Sequence, residues 1–190
     1  MSHFIYPSDF IYWNKSKNHE SNKKELIQNI IPNLDVTKNQ HKNKWRCDLN
    51  TEFFNISEES VLKYRNLIIN DIYPALDKMF EELPLIPPKT SEITSIWYNY
   101  YKDNQFQEVH NHVQEYKRPN ISGIYLLKLE EENQTIFYSY QSSLNGFVNP
   151  VRQVKAVEGD ILLFPSHLLH YVTSCSKERI TIAFNIKCDN

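Results

Sequence analysis

The sequence predicts a mainly β domain of jelly-roll type with helices gathered at its N-terminus. Three observations carry that reading. From residue 89 onward the chain breaks into short apolar or alternating runs separated by turn residues, with no helical period between them. Helical spacing is confined to the chain before the Pro-rich break Leu83-Pro84-Leu85-Ile86-Pro87-Pro88. In the last run Ile180, Ile182, Phe184 and Ile186 alternate with Arg179, Thr181, Ala183 and Asn185, so one face suits a core and the other a polar cavity.

The elements follow in order. A first helix is expected from Lys23 to Ile31, capped by Asn22 with Glu25 three residues later and closed by Pro32. Its stripe Leu26, Ile27, Ile30 and Ile31 should be buried. A second helix is expected from Ser57 to Glu82, with Ser57 as its N-cap and Glu58 and Glu59 suiting the first-turn dipole. Val61, Tyr64, Ile68, Ile72, Leu76 and Met79 form its apolar stripe, and Pro74 should kink or divide it. Strands are expected at Ile93–Tyr101, Gln107–His112, Ser122–Leu129, Thr135–Tyr140, Val151–Ala156, Asp160–Phe164, His170–Val172 and Arg179–Lys187. The 190 residues fit one domain, with 1–88 a helical and irregular support region and 89–190 the β core.

Composition narrows the function classes. A net charge of -2 with no block of like charges gives no electrostatic footprint for sequence-independent nucleic-acid binding. No apolar run approaches a membrane span, and Met1-Ser2-His3-Phe4 has neither a basic signal region nor an apolar signal core, so a cytoplasmic protein is expected. Cys47, Cys175 and Cys188 are odd in number and widely spaced, which reads as free thiols. Glu130-Glu131-Glu132-Asn133 reads as a solvated turn.

The residues that carry chemistry are histidines and an arginine. His110 and His112, two apart on a strand, would point to one face, and His170 arriving on a distant strand would complete a facial set of metal ligands. The stretch His170 to Arg179 reads as a β-hairpin turning through Thr173-Ser174-Cys175-Ser176-Lys177-Glu178, which would set His170 opposite Arg179. A guanidinium beside a metal suggests a carboxylate co-substrate. Taken singly, each residue has a plainer reading: His170 or His-x-His as structural polar groups, Arg179 as a surface ion pair, and the strand Trp97-Tyr98-Asn99-Tyr100-Tyr101 as core.

In this order, five pieces of the second half resemble the 2-oxoglutarate- and iron(II)-dependent oxygenases, most closely a subgroup of small members frequent in bacteriophages. The pieces are His110-Asn111-His112, Ile121-Ser122-Gly123-Ile124-Tyr125-Leu126, the run Glu158 to Ser166, His170, and Arg179-Ile180-Thr181. The resemblance implies a double-stranded β-helix (jelly-roll, cupin-like) core that binds Fe(II) and 2-oxoglutarate. It implies His110 and His170 as metal ligands, Arg179 as the grip on the distal carboxylate of 2-oxoglutarate, and Thr181 beside it. Tyr125 would reach the co-substrate from an inward-facing position, and Asn99 would line the mouth of the site.

One position departs from the family pattern His-x-Asp, because residue 112 is a histidine. Either His112 is the third ligand, or it serves substrate while Glu108 or Glu115 supplies a carboxylate. The implied activity is a dioxygenase that couples decarboxylation of 2-oxoglutarate to succinate and CO2 with hydroxylation of a primary substrate: a small molecule, peptide or nucleobase. In a phage-encoded protein the compartment would be the host cytoplasm. A cupin-type metalloprotein that does without 2-oxoglutarate fits the same histidines in part, although the second cupin motif normally has a glycine where His167 stands. A jelly-roll binding module without chemistry is the third reading, and it leaves the set His110, His170 and Arg179 unexplained. The loop Gln141–Pro150 and the N-terminal helices are expected to shape the mouth of the site.

Overall fold

In the computed structural model, which describes residues 9–31, 49–55, 58–102, 104–113, 118–138 and 152–189, the chain after the Pro-rich break folds into antiparallel strands in two sheets. The elements are β1 (Tyr12–Lys15), α1 (His19–Ile30), β2 (Asn50–Thr51), α2 (Glu58–Glu82), β3 (Thr90–Tyr101), β4 (Gln105–His110), β5 (Ile121–Leu129), β6 (Thr135–Phe137), β7 (Arg152–Gln153), β8 (Asp160–Pro165), β9 (His170–Cys175) and β10 (Arg179–Asp189). A 3-10 turn at Phe53–Asn55 follows β2. The large sheet has the order β1-β8-β5-β10-β3-β2 and the small one β4-β9-β6-β7. From β7 on, successive strands alternate between the sheets, which is the winding of a jelly roll.

Strand β10 is central, pairing with β3 on one side and β5 on the other. Its alternation sorts the molecule. Ile180, Ile182, Phe184 and Ile186 join Ile96, Tyr98, Tyr100 and Leu127 in a core closed by Leu26 and Ile30 of α1 and by Ile68, Ile72, Leu76 and Met79 of α2. The two helices therefore cover the outer face of the large sheet. A second cluster, including Ile124, Leu126, Phe137, Leu162, Phe164 and Leu168, fills the space between the sheets. Gly123 is required at the crossing of these layers, since a Cβ there would lie 2.2 Å from the Phe184 ring and 2.8 Å from the Leu162 carbonyl.

Several expectations change in detail. Helix α1 begins a turn earlier than Lys23, because Asp71 of α2 accepts from the Asn18 backbone N–H at 3.1 Å and its Nδ2 at 3.2 Å. Asn22 then lies inside the helix and donates to the Leu67 carbonyl, while Ile31 is exposed. Helix α2 runs undivided through Pro74. The ring lies on an exposed face, and Asn70, whose carbonyl it deprives of a helical partner, is an exposed residue. Ser57, Pro32, Glu115, Cys47 and the 141–150 loop lie outside the described residues, as do the side chains of Val61 and Tyr64.

The largest correction concerns the expected hairpin. β9 belongs to the small sheet and β10 to the large one, so His170 and Arg179 are not cross-strand partners. The polar run after Cys175 is a crossover between sheets, and His170 is paired instead with His110. No helix among the described residues is long and apolar enough to cross a membrane. Cys175 and Cys188 are free thiols.

Candidate metal centre

The inner faces of the two sheets meet around a cavity that carries the chemistry. β10 contributes Arg179, Thr181 and Ala183, and β3 contributes Trp97, Asn99 and Tyr101. β4 and β9 contribute Gln107, His110, His170 and Val172 from the opposite sheet, with His112 just beyond β4. The aromatic run on β3 is thus divided by the period of two: Tyr98 and Tyr100 pack under the helices, while Trp97, Asn99 and Tyr101 face the cavity.

His110, His112 and His170 come together with one ligand atom each, all within 4.8 Å of one another. His112 does not share a strand with His110. β4 ends at His110, its register with β9 slips on the way there, and His112 is placed by its backbone N–H donating to the Ser166 carbonyl at 2.8 Å. Among the described residues no carboxylate joins the three; Glu108 contributes its backbone carbonyl, and His167 sits outside, paired with Asp9.

The orientation of each imidazole is fixed from behind. His110 Nδ1 donates to the Glu108 carbonyl at 2.8 Å, His170 Nδ1 to the Leu168 carbonyl at 3.0 Å, and His112 Nδ1 to Asn185 Oδ1 at 2.8 Å. A carbonyl oxygen can only accept, so each ring carries its proton on Nδ1 and keeps the Nε2 lone pair for a ligand. Burial pushes His112 down to about 3, and the neighbouring His110 adds to this while the Asn185 hydrogen bond opposes it. Burial also holds His170 well below the ordinary histidine value, and His110 is lowered for the same reason. Three neutral imidazoles with converging lone pairs are a donor set for a borderline transition-metal ion such as iron(II) or zinc.

Arg179 gives the cavity its second feature. It is 1% exposed, and its hydrogen bonds go to neutral oxygens: Asn133 Oδ1 at 3.0 Å and Thr135 Oγ1 at 2.7 Å. Its guanidinium lies 5.6 Å from the centre of the Tyr101 ring, and among the described residues Nε has no hydrogen-bond partner. Burial lowers its pKa, yet an arginine stays charged in a protein. A buried cation whose hydrogen-bond partners among the described residues are neutral, with Glu131 acting on it through space without a hydrogen bond, suits an anion as a further partner. Thr181 and Asn99 line the same cavity, and Asn99 Oδ1 is held by Thr51 Oγ1 at 2.6 Å.

Tyr125 is a correction. Neighbouring Ile124 takes the inward position on β5, so the Tyr125 side chain emerges on the helix side, where its hydroxyl lies 2.6 Å from His19 Nδ1. It cannot reach a co-substrate between the sheets. Asn133 is the opposite case. Read from sequence as part of a solvated turn, it is 3% exposed and orients Arg179. Gln107, which accepts from the Tyr101 hydroxyl at 2.6 Å, also carried no motif.

Comparison with known proteins follows the same lines. Residues 95–185 match the family model described as "Putative 2OG-Fe(II) oxygenase". No curated protein sequence matches the chain. Among solved structures, a Pseudomonas putida prolyl-4-hydroxylase is similar with a TM-score of 0.59 at 11% identity, over 95% of this chain and 93% of that one. The viral collagen prolyl hydroxylase of Paramecium bursaria Chlorella virus-1, solved with 2OG, gives 0.54 at 13% identity, over 93% and 96%. SnoN, a non-heme α-ketoglutarate-dependent epimerase of nogalamycin biosynthesis, gives 0.66 at 10% identity, over 96% and 79%. At such identities the likeness establishes the fold, the double-stranded β-helix jelly roll.

Proposed function

We propose that the chain is a 2OG-Fe(II) oxygenase, a hydroxylase that uses iron(II) and 2-oxoglutarate and holds the iron through His110, His112 and His170, a reading supported by the family match over residues 95–185. The observation that carries the reading is the buried Arg179, hydrogen-bonded among the described residues to neutral oxygens, in the same cavity as three neutral imidazoles. In this reading the distal carboxylate of 2-oxoglutarate neutralises Arg179 and uses its free Nε. Thr181 and Tyr101 line its path. Asn133 and Thr135 hold the guanidinium in place so that binding does not have to order it.

The bound metal and co-substrate supply the oxidising power: 2-oxoglutarate and O2 become succinate and CO2 while one oxygen atom is inserted into a substrate C–H bond. The protein's part is to bind, orient and enclose. The three Nδ1–H hydrogen bonds keep the imidazoles in one tautomer, and the apolar wall of Ile124, Val172, Phe137 and Phe164 keeps water from the centre.

The test is an anaerobic titration of metal-free protein with iron(II) and then 2-oxoglutarate, followed by visible absorption. The expected result is the metal-to-ligand charge-transfer band of a chelated 2-oxo acid. Iron binding without the band would turn the reading to a cupin-type centre, and no metal binding would leave a jelly-roll module without this chemistry.

A further inference from the structure

Two of the three imidazoles are oriented by main-chain carbonyls, those of Glu108 and Leu168, which no substitution removes. The hydrogen bond behind His112 runs to a side chain. Asn185 is fully buried on β10, and its Oδ1 accepts from both His112 Nδ1 and Ser122 Oγ at 2.8 Å, while its Nδ2 donates to Ser95 Oγ at 3.0 Å. Ser122 Oγ continues to Ser166 Oγ at 2.8 Å, and the Ser166 carbonyl accepts from the His112 backbone N–H. The amide is thus tied to β3, β5 and the segment after β8. Asn185 is not among the residues that line the cavity, whereas His112 is.

We infer that Asn185 is the positioning residue of the third imidazole, and that its neutrality leaves the metal to draw its counter-charge from the anionic co-substrate. This rests on the reading of His110, His112 and His170 as metal ligands. An acceptor behind a ligating imidazole fixes its tautomer, and an anionic acceptor also makes the ring a stronger donor. Here the acceptor is an amide and the three imidazoles are neutral, so among the described residues no ligand offsets the charge of the metal. A carboxylate arriving with 2-oxoglutarate completes the charge. Metal and co-substrate then strengthen one another's binding by the same factor. An aspartate at 185 would keep the shape and place a negative charge behind His112, with the Ser95 hydroxyl turning to donate to it.

The experiment is titration of cobalt(II) into the metal-free full-length protein, read by its visible absorption, with and without 2-oxoglutarate, for the wild type, N185D and N185L. The wild type should bind cobalt(II) and gain about tenfold or more from 2-oxoglutarate; N185L should bind roughly 10–100-fold more weakly, the usual cost of removing a group that orients a ligand. N185D should bind about tenfold more tightly than wild type without 2-oxoglutarate and gain less from it. Packing damage predicts weaker binding in both variants, so tighter binding by N185D is a readout that a merely structural role does not produce. Wild-type cobalt binding that N185L leaves unchanged, or that N185D fails to tighten, overturns the inference and leaves the metal reading standing. Wild type without cobalt binding, or binding unaffected by His110→Ala and His170→Ala, overturns the metal reading and this inference with it.

Discussion

Arg179 is the residue whose environment asks most plainly for a missing partner, and its loss should be legible in one binding constant. Arg179→Ala should leave iron binding intact and weaken 2-oxoglutarate by about 1.5–3 kcal/mol for each charge-assisted hydrogen bond removed, on the order of 10- to 100-fold in Kd per bond. Wild-type 2-oxoglutarate affinity in that variant would take Arg179 out of the mechanism. Asn133→Ala should act in the same direction and less strongly, because the guanidinium keeps Thr135 while losing its second neutral partner. At residue 112, His112→Asp restores the commoner family pattern. Retained iron binding with turnover would make residue 112 a ligand, whereas unchanged metal affinity in His112→Ala would exclude it.

At the scale of elements, β10 does the sorting, since its two faces serve the helix-covered core and the cavity. Gly123 lies across from Phe184 on β5, and the ring occupies the space a side chain would need. Gly123→Ala should destabilise the domain by about 1–3 kcal/mol or more through overpacking, seen as a fall in Tm of roughly 2–4 °C per kcal/mol for a chain of this size. An unchanged Tm would mean that Phe184 repacks at no cost. The position of α1 was set by elements far away in sequence. Asn22 and Glu25 make a plausible capping pair in isolation, but Asp71 on α2 offers acceptors to Asn18, and that tertiary bond selects the earlier start.

At the scale of the molecule, Glu158 in the turn before β8 ties α1 to β5, through Lys23 and His19 on the one and the Leu129 N–H on the other. Burial pushes its carboxyl up, but the Lys23 ammonium and the Leu129 hydrogen bond outweigh this and hold it below the ordinary glutamate value. A depressed carboxyl contributes stability that is complete above its unfolded pKa and is lost as pH falls through the folded one. Thermal melts at about pH 7 and about pH 4 should therefore differ less for Glu158→Gln than for the wild type. An equal difference would mean that the clamp adds nothing to acid stability. Ligand linkage acts on the whole domain as well. Iron(II) alone at about 100 times its Kd should add about 2.7 kcal/mol, a rise of roughly 5–10 °C in Tm, and His170→Ala should remove it.

The sequence by itself determined that the chain after residue 89 is a run of strands and which residues of the last strand share a face, because alternation with period two is a local property of a strand. Arg179, Thr181 and Ala183 could be assigned to one face of β10, and Ile180, Ile182 and Phe184 to the other, without knowing what either face meets. The histidines were found by their type and spacing. What they pair with was decided by the sheets: β9 and β10 part into different layers, so Arg179 nears the imidazoles across the cavity and not across a hairpin turn. The same reason hid Asn133, Gln107 and Asn185 from view. An amide has no motif of its own, and its role depends on which buried donor long-range strand pairing brings within hydrogen-bond reach. Tyr125 was misplaced because parity on β5 is set against β10, and only that register decides which face of the sheet a side chain occupies.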